Sequence, residues 1–86
     1  MIQETDNARR IRTLIARELR VDFDRVIPAA RLSEDLAADH IDVVGIIVDI
    51  EDEFEVNFDE GDIEGARTVA DLIALIEPAT ALAKAA

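Results

Sequence analysis

Cysteine, tryptophan and tyrosine are absent from these 86 residues, and histidine and serine occur once each. Without cysteine there is no disulfide framework, no thiolate nucleophile and no cysteine-held zinc, and redox chemistry places no constraint on the compartment. A nucleophilic triad would have to pair Ser33 with His40, seven residues apart with the serine in what reads as a loop, and none is expected. A second histidine is also missing, so His40 with Asp39 and Asp42 offers at most three ligands crowded at one helix start, and no metal site is predicted. The three glycines, Gly45, Gly61 and Gly65, lack the spacing of a phosphate-cradling loop. Bases are scarce after Arg31, where only Arg67 and Lys84 remain. With a net charge of -11, the chain has no basic patch to neutralise phosphates, which argues against nucleic acid. No run approaches the ~18–20 apolar residues that cross a bilayer. The arginine-rich first twenty residues also lack the apolar stretch of a secretion signal. A soluble, cytoplasmic monomer without membrane insertion is the expectation.

What is present is an apolar fraction of 50%, enough for a folded core despite the charge. A chain this short buries roughly 60% of its unfolded surface, so one domain is expected, with function on its surface or in a small cavity. The charge is segregated. Residues 1–31 hold seven arginines against five acids, whereas residues 32–77 hold fifteen acids against Arg67 alone. One half of the domain is therefore expected to show a directed acidic surface, suited to basic protein partners.

Hydrophobic spacing places the elements. Ala8, Ile11, Leu14, Ile15 and Leu19 recur at helical intervals, predicting an amphipathic helix from about Thr5 to Arg20, capped by Thr5 or Asp6. Its arginines lie opposite the apolar stripe and are expected to turn away from the acidic face. A long connection follows, Val21 to Asp39, pinned by Leu32 and Leu36. The segment His40 to Phe54 is rich in β-branched residues that by propensity suit a strand. Its fifteen residues and the Asp39/Asp42 pair at its start predict a helix instead. As a helix it carries two apolar stripes: Val43, Ile46, Ile47, Ile50 and Phe54 on one, and Ile41, Val44 and Val48 on the other. One stripe suffices for a core, which leaves the second for a partner unless this helix is buried nearly all round. Gly45, beside the second stripe, costs roughly 1 kcal/mol of helix stability, and either admits a close neighbour or reflects plain packing tolerance.

Phe58 to Glu64 reads as a short helical turn bracketed by Gly61 and Gly65. Thr68 and Asp71 form a capping pair for a last helix, with Val69, Leu72, Ile73 and Ile76 facing inward and Pro78 ending it. The division is a domain at 1–78 and an alanine-rich tail at 79–86. A calcium loop starting at Glu55 fails, because Glu60 stands where glycine is required and Ala66 where the bidentate glutamate should be.

The run Leu32-Ser33-Glu34-Asp35-Leu36-Ala37-Ala38-Asp39-His40-Ile41-Asp42, the helix end Ile50-Glu51-Asp52-Glu53-Phe54, and Thr68-Val69-Ala70-Asp71-Leu72 together resemble the acyl carrier protein family over about residues 5 to 77. The resemblance implies an all-α four-helix bundle, with three main helices, one short helix and a long first loop. It further implies a carrier that is not itself an enzyme, serving fatty-acid or polyketide-type biosynthesis. Its partners would be the basic faces of synthases, transferases and phosphopantetheinyl transferase-like enzymes. The expected docking residues are Asp39, Ile41, Asp42, Val44, Val48, Asp49, Glu51, Asp52 and Glu55, the acids steering and the aliphatics supplying contact.

Three departures mark this chain. His40 stands at the family's attachment serine, where a hydroxyl must attack coenzyme A to form a phosphodiester. As written, no 4′-phosphopantetheine is expected; with serine at position 40 it would be. Ala37 replaces a usual glycine, and Gly45 a common glutamate. Natural loss and deliberate replacement of the serine both lead to this residue. A regulatory or interaction module that keeps the carrier fold without carrying anything is the alternative reading.

Overall fold

The computed structural model describes the backbone of residues 4–85 and the side chains of residues 4–77. Four helices follow one another: α1 (Asp6–Leu19), α2 (His40–Phe54), α3 (Glu60–Gly65) and α4 (Val69–Ala85). A single 3-10 turn, Phe23–Arg25, interrupts the long connection between α1 and α2. Among the described residues the sole β-type pairing is an isolated bridge between Arg31 and Thr68. The three long helices and one short helix expected from the sequence are all present.

Each helix begins where a side chain can take up an orphan backbone donor. The Thr5 hydroxyl accepts from the Ala8 N–H at α1, and Asp59 accepts from the Asp62 N–H at α3. At α2 the box is reciprocal: Asp39 accepts from the Asp42 N–H at 2.8 Å, and Asp42 accepts from the Asp39 N–H at 3.1 Å. The first turn of α4 is satisfied throughout. The N–H groups of Val69 and Ala70 donate to the carbonyls of Ala30 and Pro28 in the long connection, and that of Asp71 donates to the Thr68 hydroxyl. The connection is thus fastened to the start of α4 by backbone, which explains how nineteen residues can stay ordered with so little secondary structure.

Its side chains are fastened too. Val26, Ala30, Leu32, Leu36 and Ala38 join Ile11 and Ile15 of α1, Ile46, Ile47 and Ile50 of α2, and Val69 and Leu72 of α4 in one buried cluster. Each of the larger of these side chains contributes about 1.5–3 kcal/mol by leaving water. Arg12 adds a polar clamp. Its Nε donates to the Val26 carbonyl at 2.6 Å, its guanidinium lies 4.1 Å from the centre of the Phe23 ring, and it pairs with Glu4.

Two sequence expectations are corrected. The short helix starts at Glu60 rather than Phe58, so Gly61 lies inside it and only Gly65 closes it. Asp59 supplies the cap, while Phe58 is half-buried against the core and its N–H is taken by the Glu51 carboxylate at 2.9 Å. Pro78 does not end the last helix, which runs to Ala85. Proline removes one donor, and the acceptor it deprives, the Ala74 carbonyl, belongs to an exposed position where water can serve it. The side chains of the alanine-rich tail, 79–86, lie outside the described residues.

Candidate functional site

The second apolar stripe of α2 faces outward. Ile46, Ile47 and Ile50 are buried, and Val43 and Phe54 pack beside them, so the core takes one side of the helix. On the other side Ile41 is 78% exposed, Val44 42% and Val48 48%. These three lie one helical turn apart, forming a strip along the outer face. Apart from Ile27, 49% exposed in the long connection, they are the large apolar side chains left in water among the described residues. A strip of this kind, rimmed by acids, is the signature of a surface that meets another molecule.

The acids divide by what they do. Asp39 and Asp42 close the capping box, and Glu51 holds the Phe58 N–H, so these carboxylates are partly committed to local structure. Asp52 and Glu55 are exposed, the latter in the left-handed conformation (φ 54°) that ends the helix. Asp49 is half-buried and faces α1. There the Glu18 carboxyl approaches it, and Asp49, as a hydrogen-bond acceptor, favours the protonated Glu18, which pushes the Glu18 pKa up from 4.5; repulsion by Asp49, partial desolvation and Asp42 add to the shift. Gly45 makes this approach feasible, since a Cβ there would stand 2.8 Å from Glu18 Oε2. The glycine's neighbour is therefore a side chain of α1. Nothing in the sequence pattern points to Glu18, because the contact joins residues twenty-seven positions apart.

His40 occupies the first position of α2 and is exposed. Both nearby carboxylates, Asp39 and Asp42, are engaged by backbone N–H groups, and the His40 imidazole makes no hydrogen bond or ion pair among the described residues. The imidazole is thus presented to solvent at the start of the outward strip. Between the long connection, Val43 and the start of α4 runs a groove of about 520 Å³ whose lining includes Ser33, Arg31 and Arg67. The described residues contain no cluster of three potential metal ligands, and no described helix is long and apolar enough to cross a membrane.

The expectation that the arginines of α1 turn away from the acidic face is also corrected. Arg10 pairs with Glu53 near the end of α2 and lies over the Phe54 ring, 4.5 Å from its centre. The basic face of α1 therefore borders α2 directly.

Comparison with known proteins accords with this geometry. Residues 9–76 match the family model described as a phosphopantetheine attachment site. An acyl carrier protein of Thermotoga maritima is 38% identical over 68 residues, spanning 79% of this chain and 84% of that protein. The residues at the start of α2 offer no hydroxyl for covalent attachment of the group that gives the family its description. His40 presents an exposed imidazole there, the first turn of α2 contains no serine or threonine, and Ser33 sits seven residues away in the connection.

Proposed function

The chain belongs to the acyl carrier protein family, and from that premise we propose that it docks basic surfaces of fatty-acid or polyketide-type biosynthetic enzymes through α2. The observation that carries this reading is the outward strip Ile41, Val44 and Val48 beside Asp52 and Glu55. The apolar strip supplies contact at the centre, and the acids steer the approach and fix the register. Exposed charges at the rim attract over about a Debye length, ~8 Å at physiological ionic strength, so the binding is weak and sensitive to salt. The partners that fit are synthases, transferases and phosphopantetheinyl transferase-like enzymes, acting outside a membrane.

In this reading the chain bears no 4′-phosphopantetheine while position 40 is histidine. Incubation with coenzyme A and a broad-specificity phosphopantetheinyl transferase, followed by intact-mass spectrometry, tests it. The expected result is no adduct on the unaltered chain and one adduct on His40→Ser. An adduct on the unaltered chain overturns the reading of His40. A serine variant that stays unmodified favours the second reading, a regulatory module that retains the docking face and transfers nothing; the exposed, unengaged imidazole of His40 is what recommends it. Affinity for a purified carrier-dependent ketosynthase tests the docking itself, with a fall between low and high salt expected and a salt-independent affinity refuting the steering.

A further inference from the structure

The acidic surface of α2 has an edge, and a basic surface begins there. On α1 the spacing of Arg9, Arg10, Thr13 and Arg17 lays three exposed arginines along one solvent stripe about two turns long, and a fourth, the exposed Arg20, follows at the C-terminal cap. Asp6 is the one acid on that stripe. Arg12 does not belong to it, being turned inward on Phe23 and Val26. Of the four, Arg10 pairs with Glu53, and no ion pair engages Arg9, Arg17 or Arg20 among the described residues.

Two shallow grooves join this stripe to α2. One, about 480 Å³, runs between Leu14, Arg17 and Glu18 of α1 and Asp49, Asp52 and Glu53 of α2. The other, about 460 Å³, continues from it past Arg9, Arg10 and Thr13. They share Leu14, Arg17 and Glu53, so a continuous surface passes from the acidic face of α2, across an apolar floor at Leu14, to unpaired cations on α1.

In a chain of net charge -11, a concentration of exposed cations contributes nothing to solubility and opposes attraction to a purely basic partner. It is favourable where the facing surface is acidic. We propose that the docking surface extends from α2 over the groove onto α1, and that it fits an enzyme whose basic patch is bordered by acidic side chains. The basic patch meets Asp52 and its neighbours, while the acidic border meets Arg9 and Arg17. Opposite signs on adjoining helices specify the rotation of the partner, because turning it by half a revolution sets like charges against each other on both sides.

This rests on the α2 docking reading, and the two separate by experiment. Affinity for the purified ketosynthase is measured for the unaltered chain, for Asp52→Lys, for Arg9→Glu with Arg17→Glu, and for the milder pair Arg9→Gln with Arg17→Gln. Circular dichroism verifies that α1 is intact in each. A partner attracted by net charge alone binds the glutamate pair more tightly, since the chain has become more acidic. The proposal requires the reverse: a loss of roughly 3- to 30-fold for the glutamate pair, from two rim ion pairs, and a smaller loss for the glutamine pair. Weakening by Asp52→Lys together with unchanged or tighter binding of the arginine variants overturns the proposal and leaves the α2 reading in place. If Asp52→Lys also leaves the affinity unchanged, the α2 reading falls, and the extension falls with it.

Discussion

Replacing Ala37 by glycine should stabilise the protein. Ala37 has φ 58°, in the left-handed region, and turns the chain between the buried Leu36 and Ala38 just before the Asp39 cap. A Cβ in that conformation costs about 1–2 kcal/mol. Glycine removes the strain but loses more freedom on folding, by about 0.4–1 kcal/mol. The Ala37 side chain is exposed, so no burial is forfeited. The balance is a gain centred on about 0.8 kcal/mol, within about 0–1.6 kcal/mol across the two ranges, or roughly 3–6 °C in Tm for a domain of this size. Thermal unfolding followed by circular dichroism reads it, with urea titration as a second measure. Ala38→Gly is the control: Ala38 is 4% exposed and is not among the positive-φ residues, so it loses a buried methyl as well as freedom and should cost about 1–2 kcal/mol. If Ala37→Gly leaves Tm unchanged, or lowers it as the control does, the strain argument is wrong.

Two further substitutions test the electrostatics. The Asp71 carboxylate accepts from the N–H groups of Arg67 at 2.9 Å and Thr68 at 3.0 Å, which hold its pKa below 3.8, Arg67 contributing most. Its stabilisation is therefore present above pH 3.8 and is lost as pH falls through the lower folded value. Asp71→Ala should cost about 1–2 kcal/mol at neutral pH, with the difference from the unaltered chain shrinking in acid; a difference that stays constant with pH would contradict the cap. Glu18 has the opposite sign, because its raised pKa means stability that is complete below pH 4.5 and lost as pH rises through the folded value. Glu18→Gln should raise Tm at pH 7, by removing a charge that faces Asp49, and bring little change at pH 4; a lower Tm at pH 7 would show that the ionised pair is not repulsive in solution.

Helix α2 shows how far local pattern reaches. Its β-branched residues favour a strand by propensity, yet its bounds, His40 to Phe54, follow from a capping pair and from two apolar stripes at helical spacing. Both stripes were legible because a helix with its core on one side has a fixed periodicity. The start of α3 was less legible. Phe58 and Asp59 both suit the beginning of a helical turn, and only the packing of Phe58 against the core assigned the cap to Asp59. The end of α4 differs from the stop expected at Pro78 for a related reason: proline forbids one hydrogen bond, and whether a helix continues past it depends on what else serves the freed carbonyl.

The sequence by itself determined the presence of three long helices and one short one, the caps of α1, α2 and α4, the inward and outward stripes of α2, and the family. These are properties of neighbours within a few residues, where spacing and side-chain chemistry act directly. Only the tertiary structure decided that Glu18 lies over Gly45 against Asp49, and that Arg10 brings the basic stripe of α1 to the edge of the acidic face. Periodicity reports which face of a helix meets the core, but not the rotation and height at which two helices pack. That geometry is set jointly by Ile11, Ile15, Ile46 and Ile50 as they fill one core, and it turned a segregated charge count into two adjoining surfaces of opposite sign.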